Sequence, residues 1–339
     1  MTNSRPTIRD VARLAGVSHQ TVSRVMNKRE NVTRETQERV EAAILELGYR
    51  PSAIARSMAH GRTHTIACIA PNLTDFTFAS IIEGAETEAR QHGFFLLSSS
   101  AEDEVGFGTL VEELVEHRRV DGLMIINPYI DQRFENIPAN FPTVYVGAAA
   151  RSEAVSSVCL DDENVAYEAT RHLLELGHRS IAMVTGPMAE DCSRDRTVGY
   201  RRALAEAGLD YDERLVTEGD WSASSGQAGF ERFMQQGLGP TAVFAQNDRM
   251  ALGILRAARD LGLDVPGQLA VIGVDDMPLS SYFDPPLTTM RQDMPAIGQL
   301  ATRLLLDIIE NNTTSVQALK LPAQLIVRKS TSEKEVVSR

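Results

Sequence analysis

Side chains that could read DNA bases lie on one side of a short predicted helix near the N-terminus. The stretch from Val17 to Asn27 reads Val-Ser-His-Gln-Thr-Val-Ser-Arg-Val-Met-Asn. In a helix that begins after a Ser18 cap, four polar residues share one side at three- and four-residue spacing: Gln20, Ser23, Arg24 and Asn27. Gln and Arg have flat, two-pronged ends that match adenine and guanine edges in a major groove. The stretch therefore predicts a recognition helix.

The segments on either side decide between this interpretation and an ordinary solvated amphipathic helix. Upstream, Thr7 is predicted to cap a helix with Asp10 as its capping-box partner, and Gly16 supplies the turn. Downstream, Thr33 is predicted to cap a third helix that ends at Gly48. Helix, glycine turn, helix and a third, bracing helix together predict a helix-turn-helix domain.

The run from Thr7 to Asn27 resembles the headpiece of the LacI family of bacterial transcription regulators. The resemblance continues through Val40 to Pro51, which reads Val-Glu-Ala-Ala-Ile-Leu-Glu-Leu-Gly-Tyr-Arg-Pro. It implies a regulator that binds operator DNA. The expected DNA contacts in the headpiece are Thr7, Ser18, His19, Gln20, Thr21, Ser23, Arg24, Asn27 and Thr33, with His19, Gln20 and Arg24 on base edges.

The next segment, residues 51–62, is predicted to form a short helix that connects the headpiece to the rest of the chain. It starts with proline and is too short to be stable alone in water. Ile54 and Met58 lie one turn apart, so two copies could pack together and present Met58 as a wedge in a minor groove. A plain linker is the alternative. By resemblance this is the LacI hinge helix, whose wedge is usually leucine, and Arg56 is a further expected DNA contact.

Charge is segregated along the chain. The 339 residues carry a net charge of −12, but residues 1–62 hold 11 basic against 6 acidic residues. The first part is therefore +5 and the remainder −17. The basic N-terminal part can neutralise DNA phosphates, whereas the acidic remainder of the chain is repelled by the duplex. An incidental imbalance of the surface is the alternative interpretation.

Length and composition indicate a cytoplasmic protein of two or three domains. Hydrophobic residues make up 43% of the chain, yet no apolar run is long enough to cross a bilayer, and the N-terminus lacks the apolar core of a secretion signal. The three cysteines, Cys68, Cys159 and Cys192, are far apart and odd in number. That pattern fits reduced thiols better than a disulfide scaffold or a metal cluster, and we expect neither a metal nor a cofactor.

From Thr65 onward, short apolar runs alternate with helical stretches, which predicts two doubly wound α/β lobes with parallel sheets. Strands of the first lobe are predicted at 66–70, 94–98, 122–126 and 143–146, and its helices at 78–92 and 109–118. Beyond residue 151 the pattern repeats, with strands predicted at 157–160, 180–185, 215–218, 242–245 and 269–274. The resemblance implies lobes of the periplasmic-binding-protein type.

The predicted domains are a headpiece (1–50), a hinge helix (51–62), an effector-binding and dimerisation domain (63–330) and a polar tail (331–339). The first lobe is expected to comprise 63–160 and 291–318, and the second 161–290 and 319–330. Three crossings, near Leu160, Met290 and Ala318, would make a hinge with a cleft that can close around a small molecule. The leucine-heptad tail with which family members form tetramers is missing, so we expect a homodimer.

Polar residues beyond the carboxyl ends of the predicted strands are candidates for effector binding. Arg, Asn and Asp can hold sugar hydroxyls, and Trp221 or Phe78 could cover the C–H face of a ring. For each residue alone a cap, turn or core role is equally open. Asn247, for example, is predicted to cap a helix. Asp75 and Asn127 are further candidates at strand ends.

Several segments of the body resemble the LacI effector domain, among them Gly219-Asp-Trp-Ser-Ala and Ala245-Gln-Asn-Asp-Arg-Met-Ala-Leu-Gly253. The resemblance implies effector contacts from Arg196, Trp221, Asn247 and Asp275, with Phe78 on the first lobe. There is one departure. Where lactose-type repressors carry an aspartate for the sugar, this chain reads Val144-Tyr-Val-Gly147, which puts galactoside specificity in doubt.

The leading hypothesis is a transcriptional repressor that binds a palindromic operator as a dimer and responds to a small effector. A solute-binding receptor would need export, and an enzyme would need a catalytic motif of the kind this chain lacks. Asp275 and Asp276 could suggest a metal pair, although hydroxyl acceptors fit better. Acidic neighbours disfavour a phosphorylated ligand and favour a neutral sugar or polyol, while a nucleoside stays open. The sequence does not decide whether the effector releases or strengthens operator binding.

Overall fold

The computed structural model describes residues 6–26, 32–49, 61–129, 131–147, 155–311 and 315–332. The chain divides into two compact units, residues 1–63 and 64–339. The predicted hinge helix lies outside the described residues except for its last two positions, and the predicted contacts Asn27, Ile54, Arg56 and Met58 lie outside them as well.

The elements of the described chain are numbered here in order. The helices are α1 (Ile8–Ala15), α2 (His19–Met26), α3 (Arg34–Leu47), α4 (Phe76–Gln91), α5 (Glu104–Val115), α6 (Asp162–Glu175), α7 (Asp191–Glu206), α8 (Ala223–Gln235), α9 (Asp248–Asp260) and α10 (Met294–Asn311). The strands are β1 (Thr65–Ala70), β2 (Phe95–Ser100), β3 (Gly122–Ile126), β4 (Thr143–Val146), β5 (Ser156–Leu160), β6 (Ile181–Thr185), β7 (Val216–Glu218), β8 (Ala242–Ala245), β9 (Ala270–Asp275), β10 (Thr288–Arg291), β11 (Ala318–Leu321) and β12 (Gln324–Ile326).

The first unit is a helix-turn-helix with local caps at the predicted positions. The Thr7 amide donates to the Asp10 carboxylate at 2.9 Å, and Thr33 Oγ1 accepts from the Thr36 amide at 3.4 Å. Gly16 ends α1 at φ +65°, a conformation that glycine adopts without strain. A small core holds the three helices together: Val11, Ala12, Ala15, Val22, Val40 and Ala43. The predicted helix-turn-helix is therefore confirmed.

The second unit contains two doubly wound lobes, as predicted. One six-stranded sheet has the order β11-β5-β4-β3-β1-β2, and the other has the order β12-β10-β9-β8-β6-β7. All pairs are parallel except β10 with β12. The inner parallel strands, such as β1, β3, β6 and β8, are almost wholly buried because helices cover both faces, which is why they read as continuous apolar runs in the sequence.

Two of the boundaries that differ from the sequence predictions have a clear physical cause. The third crossing between the lobes follows Leu321 rather than Ala318, because all of β11 pairs with β5 of the first lobe. Helix α5 begins at Glu104 and not near 109, because Asp103 Oδ1 accepts a hydrogen bond from the Gly106 amide and caps the helix there. The sequence prediction placed the start later because Gly106 and Gly108, in the first turns of α5, are unfavourable in helices.

Glycine allows two helix pairs to come into backbone contact. A Cβ on Gly298 of α10 would lie 2.0 Å from the Ile81 carbonyl oxygen of α4. A Cβ on Gly253 of α9 would lie 1.8 Å from the Ala223 carbonyl oxygen of α8. Both distances are far below van der Waals contact. The starts of α4, α9 and α10, which line the cleft between the lobes, are thus held in place by close backbone packing.

Candidate functional site

The polar side of α2 is exposed, as base reading requires. His19, Gln20 and Arg24 are exposed, whereas Val22 on the opposite side is fully buried. Ser18 Oγ accepts from the Thr21 amide at 3.1 Å and so caps the helix. Three of the predicted DNA contacts, Thr7, Ser18 and Thr33, already use their hydroxyl groups for hydrogen bonds in the first turns of α1, α2 and α3.

A cavity of about 150 Å³ lies between the two lobes of the second unit. Six of the seven predicted effector residues line it: Asp75, Phe78, Arg196, Trp221, Asn247 and Asp275. Asn127, the seventh, is not among the lining residues. Its amide nitrogen donates to Asp131 at 3.1 Å and its oxygen accepts from the Tyr129 amide at 3.1 Å, so this side chain orders the loop after β3.

Arg196 projects from α7 into the cavity wall of the second lobe and is buried. Its Nε donates to Asp162 Oδ1 at 2.7 Å, and Nη1 donates to the Gln246 carbonyl oxygen. Its Cζ lies 5.9 Å from the centre of the Trp221 ring. Because Asp162 and Gln246 fix the guanidinium plane, its remaining N–H groups form a rigid set of donors.

Trp221 forms a flat wall of the cavity and is held on three sides. Its Nε1 donates to Glu190 Oε1 at 3.0 Å, and its carbonyl oxygen accepts from Asn247 Nδ2 at 3.1 Å. The ring lies directly on Gly186, where an added Cβ would be 2.1 Å from the indole. Trp221 also has φ +68°, a strained value for a residue with a side chain. The indole is thus preorganised, with Asn247 acting both as the predicted cap of α9 and as its support.

Two carboxyl groups of the second lobe interact with each other: Asp275 lines the cavity, and Asp248 lies behind it. Asp248 is fully buried, with Oδ1 accepting from Thr289 Oγ1 at 2.6 Å and Oδ2 accepting from the Met277 amide at 2.9 Å. Asp275, at the end of β9, lines the cavity at φ +115°. Burial raises the pKa of Asp275 well above its usual value, and the charge of Asp248 adds to the rise. Each carboxyl therefore opposes ionisation of the other.

A metal pair at Asp275 and Asp276 finds no support. Asp276 accepts from Arg291 at 2.6 Å and from Arg328 at 2.7 Å, so cations of the protein already neutralise it. Among the described residues no group of His, Cys, Asp or Glu has the arrangement of a metal site.

Stability should depend on pH through Asp248. Burial raises its pKa from the usual 3.8 to about 6. A carboxyl whose pKa is higher in the folded state holds its proton longer there, so the free energy of unfolding falls as pH rises from about 4 to about 6. The expected fall due to this group is up to about 3 kcal/mol. Urea unfolding between pH 4 and 7 measures it. Asp248→Asn, which does not titrate, should show a flatter profile, and parallel profiles would contradict the assignment.

Gln292 is a cavity residue that the sequence analysis missed. It follows β10, is buried, and neither atom of its amide group has a hydrogen-bond partner within the described part of the chain. Leaving a buried donor and acceptor unpaired is costly, so the amide is poised for a ligand. Its position just after a strand end was the available signal, but the strand was not predicted.

The two lobes are bridged across the cleft by contacts that the sequence did not reveal. Arg249 Nη2 of the second lobe donates to Asp75 Oδ2 of the first at 2.5 Å. The Asp191 amide donates to the Pro128 carbonyl oxygen at 3.0 Å. The lobes therefore contact each other at two points beside the cavity.

Comparisons with known proteins agree with this architecture. Residues 7–52 match the family model of bacterial regulatory proteins, lacI family, and residues 170–331 match the periplasmic binding protein-like domain. The ribose operon repressor of Escherichia coli K12 is 37% identical, over 96% of this chain and 99% of that protein. Catabolite control protein A of Priestia megaterium is 35% identical, over 96% and 99%. The chain belongs to the LacI family.

Solved structures of LacI-family proteins are similar over nearly the whole chain. The lac repressor dimer bound to operator and the anti-inducer ONPF has a TM-score of 0.88 at 33% identity, covering 97% of this chain and 99% of that one. The regulator CelR in complex with cellobiose has a TM-score of 0.75 at 35% identity, covering 96% and 100%. The family consists of transcription regulators, and this chain is a DNA-binding regulator. None of its described helices is long and apolar enough to span a membrane.

Proposed function

We propose that this LacI-family regulator is a repressor that binds a palindromic operator as a homodimer and is controlled by a small neutral sugar. The observation that carries the proposal is that one chain holds both an exposed, purine-matching face on α2 and a cavity between two lobes that is lined by hydroxyl-binding groups. Two relatives, the ribose operon repressor and the lac repressor dimer on its operator, support a repressor of this type.

In the DNA complex, the two headpieces of a dimer place α2 in successive major grooves, and two-fold symmetry matches a palindrome. His19, Gln20 and Arg24 contact base edges, since these side chains are exposed on one helix. Residues 51–62, with Ile54, Arg56 and Met58, are proposed to pair in the central minor groove.

The cavity favours a neutral ligand because its cations are already neutralised. Arg196 pairs with Asp162, and Arg249 pairs with Asp75. A phosphate group would meet the remaining carboxyls instead. Burial raises the pKa of Glu190, as it does that of Asp275, which is the response of acids that lack a full counter-charge. Hydroxyl groups can donate to these carboxyls and accept from Arg196.

Operator and effector binding are proposed to be coupled through the angle between the lobes. If effector binding changes that angle, the two connectors of a dimer move relative to each other, and their pairing on DNA changes with them. Linkage then requires that the operator alter effector affinity by the same factor. A thermal-shift screen of neutral sugars, sugar phosphates and nucleosides, with and without operator, tests this half of the proposal. Stabilisation only by phosphorylated ligands would overturn the neutral-sugar assignment.

Arg24→Ala is expected to reduce operator discrimination. A dimer loses two bidentate contacts, one in each half-site, at about 1–3 kcal/mol each, so the affinity ratio of operator to random duplex should fall by about thirty-fold or more. The operator is first selected from random duplexes with the parent protein, and competition binding then gives the ratio. Effector affinity should stay the same.

Arg13→Ala is the matched control, since Arg13 is an exposed arginine of α1. A phosphate contact there would weaken binding to all sequences alike and leave the ratio unchanged. If the Arg24→Ala protein selects the operator as well as the parent does, Arg24 does not contribute to recognition of the operator bases.

A further inference from the structure

The two lobes present different chemistry to the cavity at equivalent positions, the carboxyl ends of their central strands. In the second lobe these positions carry hydrogen-bonding groups: Asn247 after β8, Asp275 at the end of β9 and Gln292 after β10. In the first lobe they carry apolar groups or none: Ile126 at the end of β3, Gly147 after β4 and Leu160 at the end of β5.

The apolar wall of the first lobe is completed by two helices. Phe78 and Ile81 lie one turn apart on α4, and Met294 begins α10. All three belong to, or pack against, the hydrophobic core of that lobe. They thus face the cavity from a rigid, well-packed surface.

The polar residues of the first lobe that reach the cavity lie in the loops and at the start of α4, where Thr77 directly precedes Phe78. Asp75 is paired with Arg249. Asn72 Oδ1 accepts from the amides of Thr74 and Asp75, at 3.0 and 2.8 Å. The Tyr129 ring lies against Arg133, whose Cζ is 4.9 Å from the ring centre. The apolar wall itself therefore offers a ligand hydroxyl little to bind.

We propose that the cleft selects a sugar whose hydroxyls are clustered at one end and whose other end is apolar, namely a deoxy sugar or a glycoside with a small alkyl group. This inference rests on the proposed function, because it takes the effector to be a sugar. The hydroxyl end contacts Arg196, Asp275 and Gln292, and the apolar end contacts the wall around Ile126. A hydroxyl buried there without a partner weakens binding, whereas burial of each CH₂ group strengthens it.

Titration calorimetry on the full-length protein with matched sugar pairs tests the selectivity. The pairs are L-fucose with L-galactose, L-rhamnose with L-mannose, and the isopropyl with the methyl glycoside of D-galactose and of D-glucose. In the pairs that bind, we expect the deoxy sugar or the larger alkyl glycoside to bind at least about ten-fold tighter, which corresponds to 1.4 kcal/mol.

The possible outcomes separate this inference from the proposed function. If sugars bind but the more hydroxylated or smaller member binds equally well or better, the inference is wrong and the sugar effector stands. If none of the pairs binds, the inference is wrong, and the sugar effector stands only if the wider screen finds another sugar that binds. Operator selection by the headpiece is unaffected in either case.

A substitution in the wall gives a second test. Gly147 has φ +74°, and an added Cβ would lie 3.7 Å from Ile81 Cδ1, which is ordinary contact. Gly147→Asn places an amide on the wall, and Asn tolerates positive φ better than other side chains. We expect the preference for the deoxy or alkyl member to fall about ten-fold.

Gly147→Ala is the matched control, because it introduces a Cβ at the same strained φ without a hydrogen-bonding group. It should keep the preference of the parent. Equal loss of preference in both variants would show that backbone strain, rather than the chemistry of the wall, sets the selectivity, and would overturn the inference.

Discussion

Arg196→Ala is expected to lower the free energy of unfolding by about 3–5 kcal/mol and to abolish effector binding. The stability loss arises because the buried Asp162 side chain would lose its hydrogen-bonded partner, while the Gln246 carbonyl oxygen would lose a donor. Urea unfolding of the second unit within the full chain measures the first effect, and calorimetry with an effector identified in the screen measures the second. Operator selection should survive at temperatures where the variant is folded.

Arg194→Ala is the matched control for this prediction. Arg194 lies on the same helix, α7, but is exposed, and its pair with Asp191 is at 3.3 Å on the surface. Surface pairs contribute about 0–1 kcal/mol, so this variant should resemble the parent. The double variant Arg196→Ala with Asp162→Asn should recover part of the stability but none of the effector binding. A single Arg196→Ala variant as stable as Arg194→Ala would show that the buried pair contributes little.

Gly253→Ala is expected to destabilise the second lobe by about 1–3 kcal/mol, or more, because its Cβ would lie 1.8 Å from a backbone oxygen of α8. The sign of the change in the free energy of unfolding shows whether Gly253 is tightly packed or lies on an open helix surface. In an open helix, replacing Gly by Ala would stabilise by about 1 kcal/mol. Separating α9 from α8 also moves Asn247 away from Trp221, so effector affinity should fall together with stability. Thermal unfolding and calorimetry on one sample check both effects.

Leu252→Ala, the adjacent position on α9, is the control. Leu252 is 40% exposed, so its truncation should cost little and leave the effector site unchanged. If Gly253→Ala proves more stable than the parent, the close packing of α8 and α9 does not constrain the lobe.

Sequence reasoning succeeded where the signals are local. The caps at Thr7 and Thr33 and the turn at Gly16 depend on residues three or four positions apart, and each lies at the predicted position. Buried parallel strands such as β3 and β8 were predicted at their observed bounds, since continuous apolar runs of that length read as buried strands.

Sequence reasoning failed where the decisive partner is distant in the chain. The partner of Arg196, Asp162, is 34 residues away, and that of Arg249 is 174 residues away, so neither pair could be read from spacing. The position of the third crossing depends on the pairing of β11 with β5, some 160 residues earlier. The unpaired amide of Gln292 is visible only when all its neighbours are placed.

The bridges across the cleft have a kinetic consequence. Because Arg249 pairs with Asp75 and the Asp191 amide binds the Pro128 carbonyl oxygen, both contacts must break before the lobes can separate to admit or release a molecule held between them. The exchange rate is then limited by a motion of the protein rather than by diffusion. Ligands of different affinity should share a common slow entry step, and salt, which weakens the exposed part of the ion pair, should shorten the residence time of all of them.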